Sequence, residues 1–154
     1  MNEIFNTPFE TALRTVILLQ TERRADFSIN MIAAIDFVSL YGQSFHTSDN
    51  NLHGDNLFKF AEFATRKELT REAVNLLVKR GLITAKATKD GFLFSIAEQG
   101  REFAQSLDTR YADSYRREVN CVLDKYAGYS EQEILKQINT IAVESIKEKV
   151  VPHE

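Results

Sequence analysis

Apolar positions recur with a helical period over most of the chain. Phe9, Leu13, Val16, Ile17 and Gln20 share one face, and Leu18 and Leu19 widen it, so a first, deeply buried helix is expected. Thr7-Pro8-Phe9-Glu10 marks its start. Thr7 caps, Pro8 suits a position whose N–H would go unpaired anyway, and Glu10 completes a capping box. A second helix begins near Ser28 and runs to about Tyr41, with Ile32, Ile35, Val38 and Ser39 on one face and Gly42 as its stop. Asp36 falls inside this apolar run, where an acid is expected at an exposed edge or paired locally.

The residues from Gly42 to Asn56 are polar and rich in Gly, Ser, Asn and Asp, which predicts a loop long enough to suggest a task or mobility. The next segment, FKFAEFATRKELTREAVNLLVKRG, is helical throughout, with two possible internal boundaries. Thr70 either caps a separate helix from Arg71 to Arg80, giving helix-turn-helix geometry, or Thr65 and Glu68 cap a longer one. Strands follow from about Ile83 to Thr88 and Phe92 to Ile96, joined by Lys89-Asp90-Gly91, a strong hairpin-turn signal. A further helix starts in AEQGREFAQSL, with Phe103 and Leu107 four residues apart. Asp108 is the expected cap of a helix striped by Tyr111, Tyr115, Val119, Val122 and Tyr126, which Gly128 ends. Ser130 and Glu133 then cap a last helix lined by Ile134, Ile138, Ile141 and Ser145.

This order predicts a mainly α protein with a small β-hairpin: a winged helix-turn-helix over residues 1–107, with additional helices at both ends and a helical extension over residues 108–154. The length of 154 residues suits that organisation, and such a chain needs neither disulfide nor metal to build a core. The single Cys121 fits a reducing cytoplasm, and no apolar run is long enough to span a bilayer, so a cytoplasmic location is expected. The net charge of −3 hides an uneven distribution. Residues 59–89 hold eight Lys/Arg against three Glu, a local balance of +5 that leaves −8 to the flanks. A basic centre of this kind suits phosphates, an acidic partner, or a solvated face.

Catalytic chemistry finds little support. His46, His53 and His153 include no pair at helical metal-site spacing; His46, Asp49, His53 and Asp55 share a polar loop, which is ordinarily only a loop. Cys121 adjoins an apolar stripe, and the six glycines form no phosphate-cradling run. Neither cofactor nor metal is expected. For DNA reading, the helix from Arg71 to Arg80 would turn Ala73, Leu76 and Leu77 to the core and present Arg71, Asn75 and Lys79, but also Val74 and Val78. Valines there suit a helix buried on both faces, or one docked on a partner, better than a groove. Lys86 and Lys89 on the wing could touch phosphate without giving specificity, or serve only as solubilising edge lysines.

Several short pieces, in order, give the chain a resemblance to a known family: FNTPFE (Phe5 to Glu10) followed by Arg14; Asp36 in the second helix; Leu52-His53; Arg66-Lys67-Glu68-Leu69; Arg80-Gly81-Leu82-Ile83; Asp90-Gly91; and Tyr111-Ala112 ahead of Arg116. From about Phe5 to Leu135 the chain resembles the middle component 2 of bacterial ABC-three-component systems, the class of the accessory subunit in Lamassu-type antiphage and antiplasmid defence. One departure is His53-Gly54-Asp55-Asn56, where such proteins commonly carry a proline-rich stretch and an arginine.

The resemblance implies a non-catalytic subunit that bridges or stabilises a coiled-coil, SMC-like ABC ATPase and an effector, often a nuclease, from the same operon, with DNA met through the complex. Val74, Val78, Tyr111 and Tyr115 are then candidate partner contacts, with ordinary core packing as the plainer role of each, more so for the tyrosines. The rival expectation is a winged-helix regulator that binds DNA, or an acidic partner, through Arg66, Lys67, Arg71, Lys86 and Lys89.

Overall fold

The computed structural model describes residues 7–22, 26–54 and 59–150. Within them the chain is mainly helical with one two-stranded antiparallel sheet, in the order α1 (Pro8–Thr21), α2 (Ile29–Leu40), α3 (Lys59–Lys79), β1 (Ile83–Thr88), β2 (Gly91–Ile96), α4 (Glu98–Ser106), α5 (Arg110–Lys125) and α6 (Glu131–Val150). The helix starts follow local chemistry. Thr7 Oγ1 accepts the Glu10 amide at 3.1 Å, Ser28 Oγ that of Met31 at 3.1 Å, and Ser130 Oγ that of Glu133 at 3.1 Å. At α5 the cap is Thr109 rather than Asp108, because the Thr109 hydroxyl accepts the Ala112 amide at 3.1 Å.

Helix α2 is the centre of the molecule. Every residue from Met31 to Leu40 is buried, as expected of a helix apolar all round and enclosed by α1, α3, α5, α6 and β2. Helix α1 is also buried from Thr11 to Leu19, apart from half-buried Leu13, but on a different face from the one its periodicity predicts: Phe9 is 64% exposed, whereas Arg14 lies inside. The core is continuous from Ala12 in α1 to Ile138 in α6, and α5 contributes Tyr115, Val119 and Val122, so no break in packing occurs near residue 108.

Helix α3 runs unbroken through Thr70. The Thr70 hydroxyl donates to the Arg66 carbonyl at 2.9 Å, a bond made inside a helix, and so caps nothing. Of the two valines on this helix offered as candidate contacts, Val74 is buried and Val78 half-buried. α3 packs against α1, α2 and β1, and along it Ala73, Val74 and Leu77 are buried while Leu76 and Val78 are half-buried. Val74 is fully buried.

The hairpin pairs Ile83 with Ile96 through to Thr88 with Gly91, leaving Lys89-Asp90 as a two-residue turn, and Gly91 has φ +117°. Phe27 adds a one-residue bridge to Phe94 on the other side of β2. Helix α4 then packs through Gly100 and Ala104, leaving Phe103 exposed. Gly100 is needed for that close approach: a Cβ there would lie 2.0 Å from the Leu82 carbonyl oxygen and 2.9 Å from Ile96 Cγ1. Gly100→Ala is therefore expected to destabilise the chain by about 3 kcal/mol in urea unfolding, since backbone must move to admit the methyl group. Unchanged stability would show that α4 does not sit this tightly on the hairpin.

Candidate functional site

The most unusual chemistry in the chain lies inside it. Arg14 on α1 is 1% exposed, and its Nε donates to Asp36 Oδ1 at 2.9 Å while Nη2 reaches Asp36 Oδ2 at 3.4 Å. Asp36 also accepts the Tyr115 hydroxyl from α5 at 2.6 Å. Thus α1, α2 and α5 meet at one carboxylate. Arg14 Nη2 has a further contact with Thr11 Oγ1 at 3.4 Å. Asp36 is therefore neither at an exposed edge nor paired within its own helix: its partners are 22 and 79 residues away.

Two more residues extend this network toward the surface. Tyr111, one turn before Tyr115, hydrogen-bonds His53 Nε2 at 2.5 Å, and the two rings stack with centroids 5.6 Å apart. His53 arrives there because the 42–54 segment is pinned at several points. Phe45 is buried against Phe37 and Phe60, Lys125 Nζ donates to the Phe45 carbonyl at 2.6 Å, Ser48 Oγ bonds Glu118 at 2.9 Å, and the Leu52 amide bonds the Leu40 carbonyl at 3.0 Å. The polar composition that marks a loop also supplies these anchors. Among the described residues no three His, Cys, Asp or Glu side chains gather as metal ligands; Asp55 lies outside those residues.

Electrostatics follow from burial. Burial alone would push the Arg14 guanidinium down, but Asp36, with Tyr111 and Tyr115, more than reverses this and keeps it charged. Burial would raise the Asp36 carboxyl; the charge and hydrogen bond of Arg14, joined by the Tyr115 hydroxyl, hold it below its usual range. His53 is pushed down to about 4, by burial first and then by Arg14, with Arg66 adding to the effect against Asp36. Burial lifts Tyr111 to about 12. All four residues thus keep one protonation state through the neutral range. The arrangement fixes shape and charge; it does not present a group poised to exchange protons with solvent.

The candidate contacts separate accordingly. Tyr115 is core, its hydroxyl spent on Asp36, and Tyr111 is half-buried on His53. Arg66 is also buried, its guanidinium 5.8 Å from the Tyr41 ring and 3.8 Å from Glu62, so it offers nothing to a DNA backbone. Lys67 lies half-buried with Nζ 5.1 Å from the Phe63 ring, and Arg71 is exposed beside Glu68 at 3.9 Å. Lys86 and Lys89 are exposed on the hairpin. Sequence reasoning passed over Arg14 and Asp36 as a site. The signal was there: one charge of each sign inside the two helices expected to be most deeply buried.

Two outcomes are expected. Asp36→Ala strands Arg14 in the core and should cost about 3–5 kcal/mol, whereas Arg14→Met combined with Asp36→Leu should cost much less; unfolding free energies in a double-mutant cycle check this. The second concerns pH. His53 has a folded value near 4 against its ordinary 6.5, so between these values the unfolded chain takes a proton that the folded chain refuses. Stability is therefore complete above pH 6.5 and falls by about 3 kcal/mol as pH drops to 4. His53→Gln should flatten that part of the stability curve by about one proton's slope. An unchanged slope would place His53 in solvent.

Some of the residues that gave the chain its family resemblance are gathered here. Arg14 and Asp36 pair in the core, His53 and half-buried Tyr111 pair nearer the surface, and Arg66 is buried beside Tyr41 and Glu62; Phe5 lies outside the described residues. No curated protein and no solved structure matches the chain. A family model does, over residues 4–148: ABC-three component system Middle Component 2. The match covers nearly the whole sequence, and the chain belongs to the Middle Component 2 family of ABC-three-component systems.

Proposed function

We propose that the chain is a non-catalytic accessory subunit of a bacterial antiphage or antiplasmid defence complex of the Lamassu type. In this reading it bridges or stabilises a coiled-coil, SMC-like ABC ATPase and an effector nuclease in the cytoplasm. One observation carries the proposal: Arg14, Asp36, His53 and Tyr111, four of the residues that carry the family resemblance, are spent on contacts within the chain, Arg14 on Asp36 and His53 on Tyr111. Residues used that way preserve a particular surface shape, which is what an assembly subunit has to keep constant. An enzyme of this size would instead direct such groups into an open cleft.

The hairpin that follows α3, bridged by Phe27, supports the winged-helix part of the reading. The unbroken α3, with Val74 and Arg66 inside, supports a wing used for protein contact over one that accompanies a groove-reading helix. Arg71, Lys86 and Lys89 remain as exposed cations able to meet phosphate once the chain is held in a complex.

Co-expression of the tagged chain with the products of its neighbouring genes tests this. A coiled-coil ATPase should co-purify in fixed ratio through a high-salt wash, and Asp36→Ala should lower its recovery in proportion to the folded fraction lost. If the chain comes off alone and binds duplex DNA with an affinity that falls steeply with salt, it is a DNA-binding protein instead.

A further inference from the structure

The two-residue turn fixes which backbone groups of the hairpin face outward. Only Lys89 and Asp90 separate Thr88 from Gly91, so that pair must exchange both of its N–H···O bonds. Hydrogen-bonded pairs alternate from there, at Lys86 with Leu93 and Thr84 with Ser95. The N–H and C=O groups of Ala85 and Ala87 therefore point away from β2. A second observation agrees. Phe94, opposite Ala85, spends its own pair on the far side, where it bonds Phe27 at 2.7 and 2.8 Å. Among the described residues, nothing on the backbone meets Ala85 or Ala87.

This edge is exposed from Thr84 to Ala87 and is apolar on one face. Ala85, Ala87 and Phe92 share that face, Phe92 is 61% exposed, and its ring lies 6.5 Å from that of Phe94, where the surface joins the core. Lys86 projects from the opposite face. The exposed charges from Lys79 to Asp90 are Lys79, Arg80, Lys86 and Lys89 against Asp90 alone. Such a surface discriminates between occupants. A second copy paired about Lys86 would set one Lys86 directly across from the other, and like charges opposed across strands destabilise the pair. A strand bearing carboxylates on that face meets no such penalty.

We propose that the β1 edge accepts an extended acidic segment of another protein as an added strand. Backbone bonds to Ala85 and Ala87 supply the pairing. Apolar side chains of the segment cover Ala85, Ala87 and Phe92, and carboxylates on alternate positions meet Lys86 and Lys89. The edge itself stands on the hairpin's register; only the origin of the segment rests on the accessory-subunit reading.

The probe is a capped synthetic peptide of alternating valine and glutamate, titrated into the isotope-labelled full chain. The amide signals of Ala85 and Ala87 should shift, and their hydrogen exchange should slow by at least ~10-fold while distant amides stay unchanged. Ala87→Pro removes an outward N–H without touching the Lys86 or Thr88 pairs, and should abolish the effect. Lys86→Glu, which needs no backbone change, should switch preference to a valine–lysine peptide. Shifts elsewhere, no shift at millimolar peptide, or equal binding by both variants would overturn the proposal. So would protection of the Ala85 and Ala87 amides in the free chain that is lost on dilution, the mark of self-pairing. In the co-purified assembly, Ala87→Pro should lower partner recovery; recovery equal to wild type overturns the use of this edge there. Failure of the wild-type assembly counts against the accessory-subunit reading and leaves the peptide result in force.

Discussion

The ion pair between Arg14 and Asp36 is the constraint on which the arrangement of helices depends. Each charge would be prohibitively costly to bury alone, because removing an ion from water carries a desolvation penalty of several kcal/mol even after the protein relaxes. Together, with the Tyr115 hydroxyl as a third member, they leave little unsatisfied. The pair is not a simple gain in stability, since apolar residues of the same volume could fill the space. What it imposes is position: α1, α2 and α5 must present these three side chains to one point, and a rotation or a one-turn slip of any helix would strand a charge in the core.

That requirement explains other choices in the fold. Turning Arg14 inward rotates α1 so that Phe9, apolar and near its start, ends up in solvent. Bringing Tyr115 to Asp36 places α5 within the core and carries Tyr111 to the same side, where it holds His53 and, with it, the end of the 42–54 segment. A long polar loop thereby becomes an ordered wall. Arg14 and Asp36 are thus interior, and the surface left for partners is of a different kind: an open strand edge, an exposed phenylalanine at the hairpin, and exposed lysines. A subunit whose interior fixes its shape and whose exterior offers backbone and apolar contact is suited to being held by other proteins.

Much of the secondary structure was legible from local chemistry alone. Thr7, Ser28 and Ser130 cap helices because their hydroxyls reach an amide three residues on, which needs no knowledge of the rest of the chain. Asp90-Gly91 closes the hairpin, and Gly128, with φ +83°, ends α5, for equally local reasons. At Thr70 local chemistry was ambiguous, because the same hydroxyl can cap a new helix or bond back four residues along an old one, and only the packing of α3 across α1 selects the second.

The sequence by itself therefore determined several helix caps and the hairpin turn, that the protein is mainly helical with one hairpin, and which family it resembles. Only the tertiary structure decided what lies inside. Val74, which the sequence left between a buried and a partner-facing role, is buried, Phe9 was expected inside and is exposed, and Asp36 found its partners at residues 14 and 115. The physical reason is range. A cap or a turn is settled by bonds spanning a few residues, whereas the inward face of a helix is settled by the helices that happen to cover it. Those contacts join residues far apart in the chain, and a buried charge becomes permissible only once its distant partner is in place.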